Sequence, residues 1–140
     1  MPKINLELAT KIAQRAFAEG AERKVLNMSC VVTDAGGHVR LAMRADGQGI
    51  FGIETATAKA ISALGFGRST LLQTPSFDAA AVAGINGATH GRFVPLGGGV
   101  VVVDDDDEPI GGVGVSGGAP ATDDETVRAA LAACGLQCRK

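Results

Sequence analysis

The sequence lacks the aromatic residues on which many nucleic-acid-binding surfaces depend. Its 140 residues contain no tryptophan, no tyrosine and five phenylalanines, so alanine and aliphatic residues must fill the core. The net charge is −2 and no run of basic residues occurs. Because nucleic-acid binding relies on basic surfaces and on side chains that stack on bases, we expect no nucleic-acid partner.

Long apolar segments and paired cysteines are also missing. No stretch has the length of a membrane helix, and the first residues lack the apolar segment of a signal peptide. The three cysteines are an odd number, and neither a histidine nor a further cysteine accompanies Cys134 and Cys138 at zinc-site spacing. We therefore expect a cytoplasmic protein without membrane contact, and a frayed helix end at residues 134–138.

Glycine is abundant instead, with 20 residues, and its placement near the end of the chain is regular. Gly112 and Gly114 alternate with valines, which leaves one face of a predicted strand nearly bare. Such a strand needs another backbone, a neighbouring subunit or a flat ligand against it. We therefore assign Gly112 and Gly114 to a candidate ligand-binding and subunit-contact surface. Residues 112–117 match G-x-G-x-x-G, but inside a strand, so nucleotide binding is not indicated.

Apolar periodicity and turn residues predict helices that alternate with hairpins. The predicted elements are helix 5–20, strands 28–33 and 38–44, helix 53–64, a short helix 77–85, strands 99–103 and 109–116, and a helix 122–134. Asn5 is the predicted N-cap of the first helix, and residues 122–125 match a capping box. The hairpins predict an antiparallel sheet covered by helices, as one α+β domain over residues 1–140.

Lys59 is the most unusual charged residue, because the residues around it in its predicted helix are small. A lysine held near an apolar surface gains a carboxylate partner or has a lowered pKa, whereas the alternative is an exposed lysine on the solvent face. Arg92 precedes the loop of Gly97, Gly98 and Gly99. An arginine beside free loop amides can hold a carboxylate or a phosphate, and the alternative is a local ion pair.

Other polar residues have simpler interpretations. Arg44 and Asp46 close the first predicted hairpin, and His38 and His90 are the two histidines. A lone strand histidine is more often a surface or hydrogen-bonded residue than a metal ligand. The acidic run 104–108 lacks the spacing of a calcium loop, so we expect a solvated hairpin tip.

Several segments, taken in order, resemble one family. They are VVTDAGGH at 31–38, RADG at 44–47, TAKA at 57–60, GFGR at 65–68, PLGGG at 95–99 and IGGVGVSGG at 110–118. Together they are similar to the GlcG/HbpS-like family, which is named for haem binding or degradation and includes the C-terminal domain of PduO-type cobalamin adenosyltransferases. The resemblance covers essentially the whole chain and implies a profilin-like α+β fold.

The resemblance also implies a homo-oligomer, often an octamer, and haem as a cofactor of some members. One extracellular branch senses iron and haem stress, and other members belong to catabolic operons. We expect any haem iron to bind His38 or His90 rather than Cys134 or Cys138, because the cysteines lie at a terminal helix end, far in sequence from the glycine-rich surface.

Two function classes follow. The first is a small-molecule-binding protein for haem or a related tetrapyrrole, and its ligand-binding candidates are His38, Arg44, Arg92, Gly97, Gly98, Gly99, Gly112 and Gly114. The second is a cofactor-independent catabolic enzyme, an isomerase, tautomerase or lyase, acting on a carboxylated or carbonyl substrate. In it, Lys59 with Asp34 or Asp46 would move a proton, while Arg92 and the glycine-loop amides hold an anionic group. We expect Lys59 and Arg92 to converge in one cavity near the glycine loop, within one chain or across a subunit boundary.

Overall fold

The computed structural model describes residues 3–140, which form helices packed on a five-stranded sheet. The elements are α1 (Leu6–Glu22), β1 (Ser29–Asp34), β2 (Val39–Arg44), α2 (Gly52–Phe66), α3 (Thr70–Gln73), a 3₁₀ turn (Thr74–Ser76), α4 (Ala79–Thr89), β3 (Gly99–Val103), β4 (Pro109–Ser116), α5 (Pro120–Ala133) and β5 (Gln137–Cys138).

The sheet has the order β2-β1-β4-β3-β5, and every neighbouring pair of strands is antiparallel. The predicted α+β architecture is therefore confirmed. Helix α2 covers one face of the sheet, while α1 and α5 pack together on the other. The valines of β3 show the alternation, because Val101 and Val103 face α2 and Val100 and Val102 face the α1–α5 layer.

Two glycines of β4, Gly112 and Gly114, are covered by a helix of the same chain. A side chain at Gly114 would overlap the carbonyl oxygen of Ala56, and a Cβ at Gly112 would lie 2.9 Å from the carbonyl oxygen of Ala60. Both glycines are buried in the centre of the sheet. The sequence left three possible partners for this bare face: another backbone, a neighbouring subunit or a flat ligand. The structure shows the first of them, because the backbone of α2 fills the space that a ligand or a second subunit would need.

The helix ends agree with the sequence in one case and differ in another. The Asn5 side chain accepts the amide of Leu8 at 2.8 Å, as expected of an N-cap. The capping box at 122–125 is wrong, because α5 begins at Pro120, and Ala119 is its N-cap. Proline suits the first helical position, since its backbone angle is already helical and its missing N–H is not needed there.

The C-terminal residues were also predicted incorrectly. Gly135, with a φ of 72°, ends the last helix and turns the chain back toward the sheet. Residues 137–138 then form β5 beside β3, where Cys138 pairs with Val102. The frayed helix end expected at residues 134–138 is replaced by an edge strand.

The acidic run forms the expected turn between β3 and β4, with one exception. Asp105, Asp106, Asp107 and Glu108 are exposed, but Asp104 is buried. Its carboxylate accepts the amides of Asp106 at 2.8 Å and Glu108 at 3.0 Å, so it closes the turn from inside.

Within residues 3–140, no helix combines the length and the apolar character needed to cross a bilayer.

Candidate functional sites

Lys59 is buried and paired, as one of its two interpretations predicts. Its ammonium donates to the carboxylate of Asp123 at 3.2 Å and to the carbonyl of Val115 at 3.0 Å. The side chains of Lys59 and Asp123 are 5% and 2% exposed. Because α2 lies close to β4 through small residues, the long lysine side chain reaches the end of β4 and the first turn of α5.

Burial and pairing shift the pKa of each of these two groups in opposite directions. Burial lowers the pKa of the Lys59 ammonium, and the Asp123 carboxylate partly offsets this effect. Burial likewise raises the pKa of Asp123. The charge of Lys59 and the amide of Gly118, which donates to the carboxylate at 3.0 Å, lower this pKa and partly offset the effect of burial. The two pKa values are therefore brought closer together, which lowers the free-energy cost of moving a proton between the groups.

A cavity of about 420 Å³ opens above this pair, and we call it the Lys59 cavity. The polar residues Gln48 and Ser116 form one wall, where the Gln48 amide donates to the Ser116 carbonyl at 3.1 Å. The Ser116 hydroxyl donates in turn to the carbonyl of Gly52 at 2.8 Å. Ile50, Phe51 and Leu96 form an exposed apolar rim.

The glycine loop adjoins Lys59, but it is buried and two of its polar groups are hydrogen-bonded within the chain. A Cβ at Gly98 would lie 3.1 Å from the Lys59 ammonium, so the loop does lie beside this lysine. The amide of Gly99 donates to the Thr70 hydroxyl at 2.9 Å, and the carbonyl of Gly98 accepts the amide of Val115 at 2.9 Å. Gly97 is buried against the carbonyl of Pro120. The loop is packed into the protein rather than open as an anion-binding nest.

Three other predicted site residues, Arg92, Asp46 and Arg44, lie elsewhere in this chain. Arg92 is exposed and donates to the carbonyl of Thr89 at 2.9 Å. Asp46 is exposed in the turn after β2, and Arg44 is exposed at the end of β2. The described residues that line the Lys59 cavity include none of these three. Within one chain, the structure joins Lys59 with Asp123 and the glycine loop instead.

Asp34 and His38 form a second site at the opposite end of β1. The Asp34 carboxylate accepts the amides of His38 at 2.9 Å and Gly36 at 3.0 Å, and lies 3.2 Å from Nδ1 of the His38 ring. The backbone amide of His38 is the main cause that lowers the pKa of Asp34, although burial acts against it. The imidazole is 81% exposed, so the hydrogen bond rather than packing orients it.

A crevice of about 520 Å³ begins at this pair, and we call it the His38 crevice. Its apolar lining comes from Ile4, Pro109 and Ile110. Lys3 and Arg40 contribute basic side chains to the same lining. The crevice therefore combines an apolar wall, positive charge and one oriented imidazole.

The hydrogen bond to the Asp34 carboxylate determines which ring nitrogen of His38 can bind a metal. When Nδ1–H donates to a carboxylate, the lone pair of Nε2 is left for a metal, and metal-binding histidines are commonly oriented in this way. His90 lies in a different setting, because it ends α4 in a left-handed conformation with a φ of 59° and its side chain is exposed.

Sequence analysis missed Asp123, Gln48, Ser116 and Arg40. Asp123 was interpreted as part of a capping box, which concealed its role as the partner of Lys59. Pro120 was the available signal, because a proline at the first helical position places Asp123 within the first turn of the helix rather than near its cap.

Solved structures share this fold. The PduOC–heme complex has a TM-score of 0.87 at 22% identity and covers 99% of this chain and 100% of its own. Klebsiella pneumoniae protein ORFY has a TM-score of 0.84 at 27% identity and covers 94% and 91%. A double mutant of Streptomyces reticuli HbpS has a TM-score of 0.73 at 28% identity and covers 95% and 88%.

Comparison with curated protein sequences finds no significant match. A family model, described as "Haem degrading protein HbpS-like", matches residues 4–132. Because this match spans nearly the whole chain, the protein belongs to the HbpS-like family.

Proposed function

We propose that this protein binds haem, or a closely related tetrapyrrole, in the His38 crevice, with His38 as the axial ligand of the iron. The observation that carries the proposal is the hydrogen bond of 3.2 Å between Asp34 and His38 at the edge of the crevice. A carboxylate that holds Nδ1 leaves Nε2 directed away from it and available to a metal.

The residues of the crevice fit the chemistry of haem. Pro109 is a partly exposed apolar residue of the lining, which Ile4 and Ile110 reach from the hydrophobic core, and the volume lies within the usual range of ligand sites. Arg40 and Lys3 suit the propionate carboxylates, since both are cations. When bound, haem would supply a redox-active iron, while Asp34 keeps the His38 ring in the tautomer that can ligate.

The relatives support the same ligand class. The family is described by haem degradation, and one protein of the same fold has been solved as a heme complex. Neither fact identifies the ligand of this chain, so the proposal rests on the crevice itself.

We further propose that the chain forms a homo-oligomer, which the resemblance implies is an octamer. Helix α4 supports this proposal, because it carries no charged residue and none of its residues is buried within the chain. Its exposed positions include Ala83 and Gly84. Light scattering should show an oligomer at micromolar concentration, and Ala83→Glu should weaken it, whereas a stable wild-type monomer would contradict the proposal.

Haemin titration followed at the Soret band tests the ligand assignment. Wild-type protein should give a saturable shift, and His38→Ala should weaken binding at least about tenfold, or roughly 1.4 kcal/mol. His90→Ala is the matched control, because it removes the other exposed imidazole. Binding that survives His38→Ala unchanged, or that only His90→Ala removes, would contradict the assignment to His38.

A further inference from the structure

We propose that the Lys59 cavity is a second functional site, which binds a small neutral ketone or aldehyde and moves its α-proton. This proposal does not depend on haem binding, since the His38 crevice has a separate lining. It keeps Lys59 as one of the proton-transfer residues that the sequence indicated, and it replaces Asp34 and Asp46 by Asp123.

The polar geometry provides a place for a carbonyl group. A lysine ammonium has three N–H donors, and two of those of Lys59 are used by Val115 and Asp123. The third remains for an oxygen in the cavity. Asp123 also has capacity left, because a carboxylate can accept about four hydrogen bonds and here Lys59 and Gly118 are its partners.

The charges of the cavity decide the class of ligand. Lys59 and Asp123 together are neutral, and the remaining described residues of the lining are uncharged. An anion would have to compete with Asp123 for the single ammonium, without the arginine that the sequence suggested. A neutral carbonyl compound meets no such competition.

The rim of the cavity decides the shape of the ligand. The side chains of Ile50 and Phe51 are largely exposed, and Leu96 is partly exposed. These side chains can cover the apolar body of a ligand whose carbonyl points at Lys59. The preferred ligand is therefore a ketone or aldehyde with an apolar body and an α-hydrogen.

Lys59 and Asp123 together can supply and take up every proton that the proposed reaction moves. The Asp123 carboxylate takes the α-proton, the C–H electron pair forms a carbon–carbon double bond, and the carbonyl π electrons move to oxygen. That oxygen takes a proton from the Lys59 ammonium, which gives the enol. The neutral amine and the carboxylic acid are then left 3.2 Å apart, so the proton can return from Asp123 to Lys59 and restore the original state.

Exchange of α-protons in heavy water tests the proposal, with cyclohexanone as the probe and proton NMR as the readout. Wild-type protein should accelerate exchange at least about tenfold over buffer, and Asp123→Asn should remove this acceleration. Lys11→Ala is the matched control, because Lys11 is an exposed lysine that pairs with Glu7 at the surface. The Lys11→Ala variant should accelerate exchange of the α-protons of cyclohexanone as much as wild-type protein does.

A second variant separates chemistry from folding. Lys59→Met combined with Asp123→Leu replaces both charges by apolar groups, and such replacements commonly leave a fold intact. The folded double variant should not accelerate exchange. No acceleration by wild-type protein, or acceleration that persists in the double variant, would overturn the proposal. Pyruvate exchanged as fast as cyclohexanone would overturn the neutral substrate class.

Discussion

The ammonium of Lys59 lies 3.2 Å from the carboxylate of Asp123, although 64 residues separate them in the chain. This contact joins α2 to the first turn of α5 at one end of the sheet. Both side chains are almost completely buried, so the charge of each side chain compensates the charge of the other. Taking either one away leaves an unpaired charge in a poorly hydrated place.

Removing Lys59 alone should therefore destabilise the protein strongly. Lys59→Met should lower the free energy of unfolding by about 3–5 kcal/mol, because Asp123 loses its partner. Urea denaturation measures the change. The double variant Lys59→Met, Asp123→Leu should recover most of the loss. If it is less stable than Lys59→Met alone, the pair is not the cause.

Gly114 of β4 and Gly65 of α2 should respond oppositely to substitution by alanine. Gly114→Ala should destabilise by about 1–3 kcal/mol or more, because its Cβ would overlap the carbonyl of Ala56. Gly65→Ala should stabilise by roughly 0.5–1 kcal/mol, since Gly65 is an exposed helical residue and no atom lies within 4 Å of the added Cβ. Thermal unfolding of both variants checks this pair, and similar effects at the two positions would contradict the packing of α2 on β4.

Much of the fold could be predicted from the sequence because its signals are local. The Asn5 cap depends on nearby residues, and both hairpins follow from alternating apolar residues around turns. The sequence indicated that the bare face at Gly114 contacts another backbone, a subunit or a flat ligand. It could not identify α2 as the partner, because only the tertiary structure shows what lies against the strand.

The site was harder to predict, because its contacts join distant parts of the chain. The small residues around Lys59 indicated that it was special, but Asp123 also fitted a local role as a helix-capping acid. Arg92 and the glycine loop are close in sequence, yet the arginine turns back to Thr89 and the loop amide of Gly99 is used by Thr70. Proximity along the chain was a poor guide to which polar groups face a cavity.

The Asp34 carboxyl should titrate below its ordinary pKa of 3.8, because the amides of His38 and Gly36 stabilise its charged form. A lowered pKa in the folded state means that this carboxylate stabilises the fold above about pH 4 and that the benefit is lost as the pH falls through the lowered value. The stability difference between wild type and Asp34→Ala should therefore shrink on acidification.

Carbon-detected NMR of Asp34 in His38→Ala identifies the cause. The pKa should remain below 3.8, since the substitution removes the imidazole but keeps the backbone amide, which is the largest contribution. A return to the ordinary value would mean that the ring, rather than the backbone, holds the carboxylate.

The cysteines should differ in reactivity. Cys30 is completely buried, and burial raises the pKa of its thiol to about 12, so very little thiolate exists near neutral pH. Cys134 and Cys138 are partly exposed and should react first with a thiol reagent at about pH 8. Modification of Cys30 should need unfolding, whereas equal rates for all three thiols would contradict its burial.

The central claim is that His38 ligates the iron of a haem in the His38 crevice. The most direct measurement compares the affinities of wild type and His38→Ala for haemin and for metal-free protoporphyrin. Loss of an axial bond should weaken haemin binding at least about tenfold but protoporphyrin binding by no more than about twofold. Equal losses for both ligands, or no loss for either, would contradict axial ligation by His38.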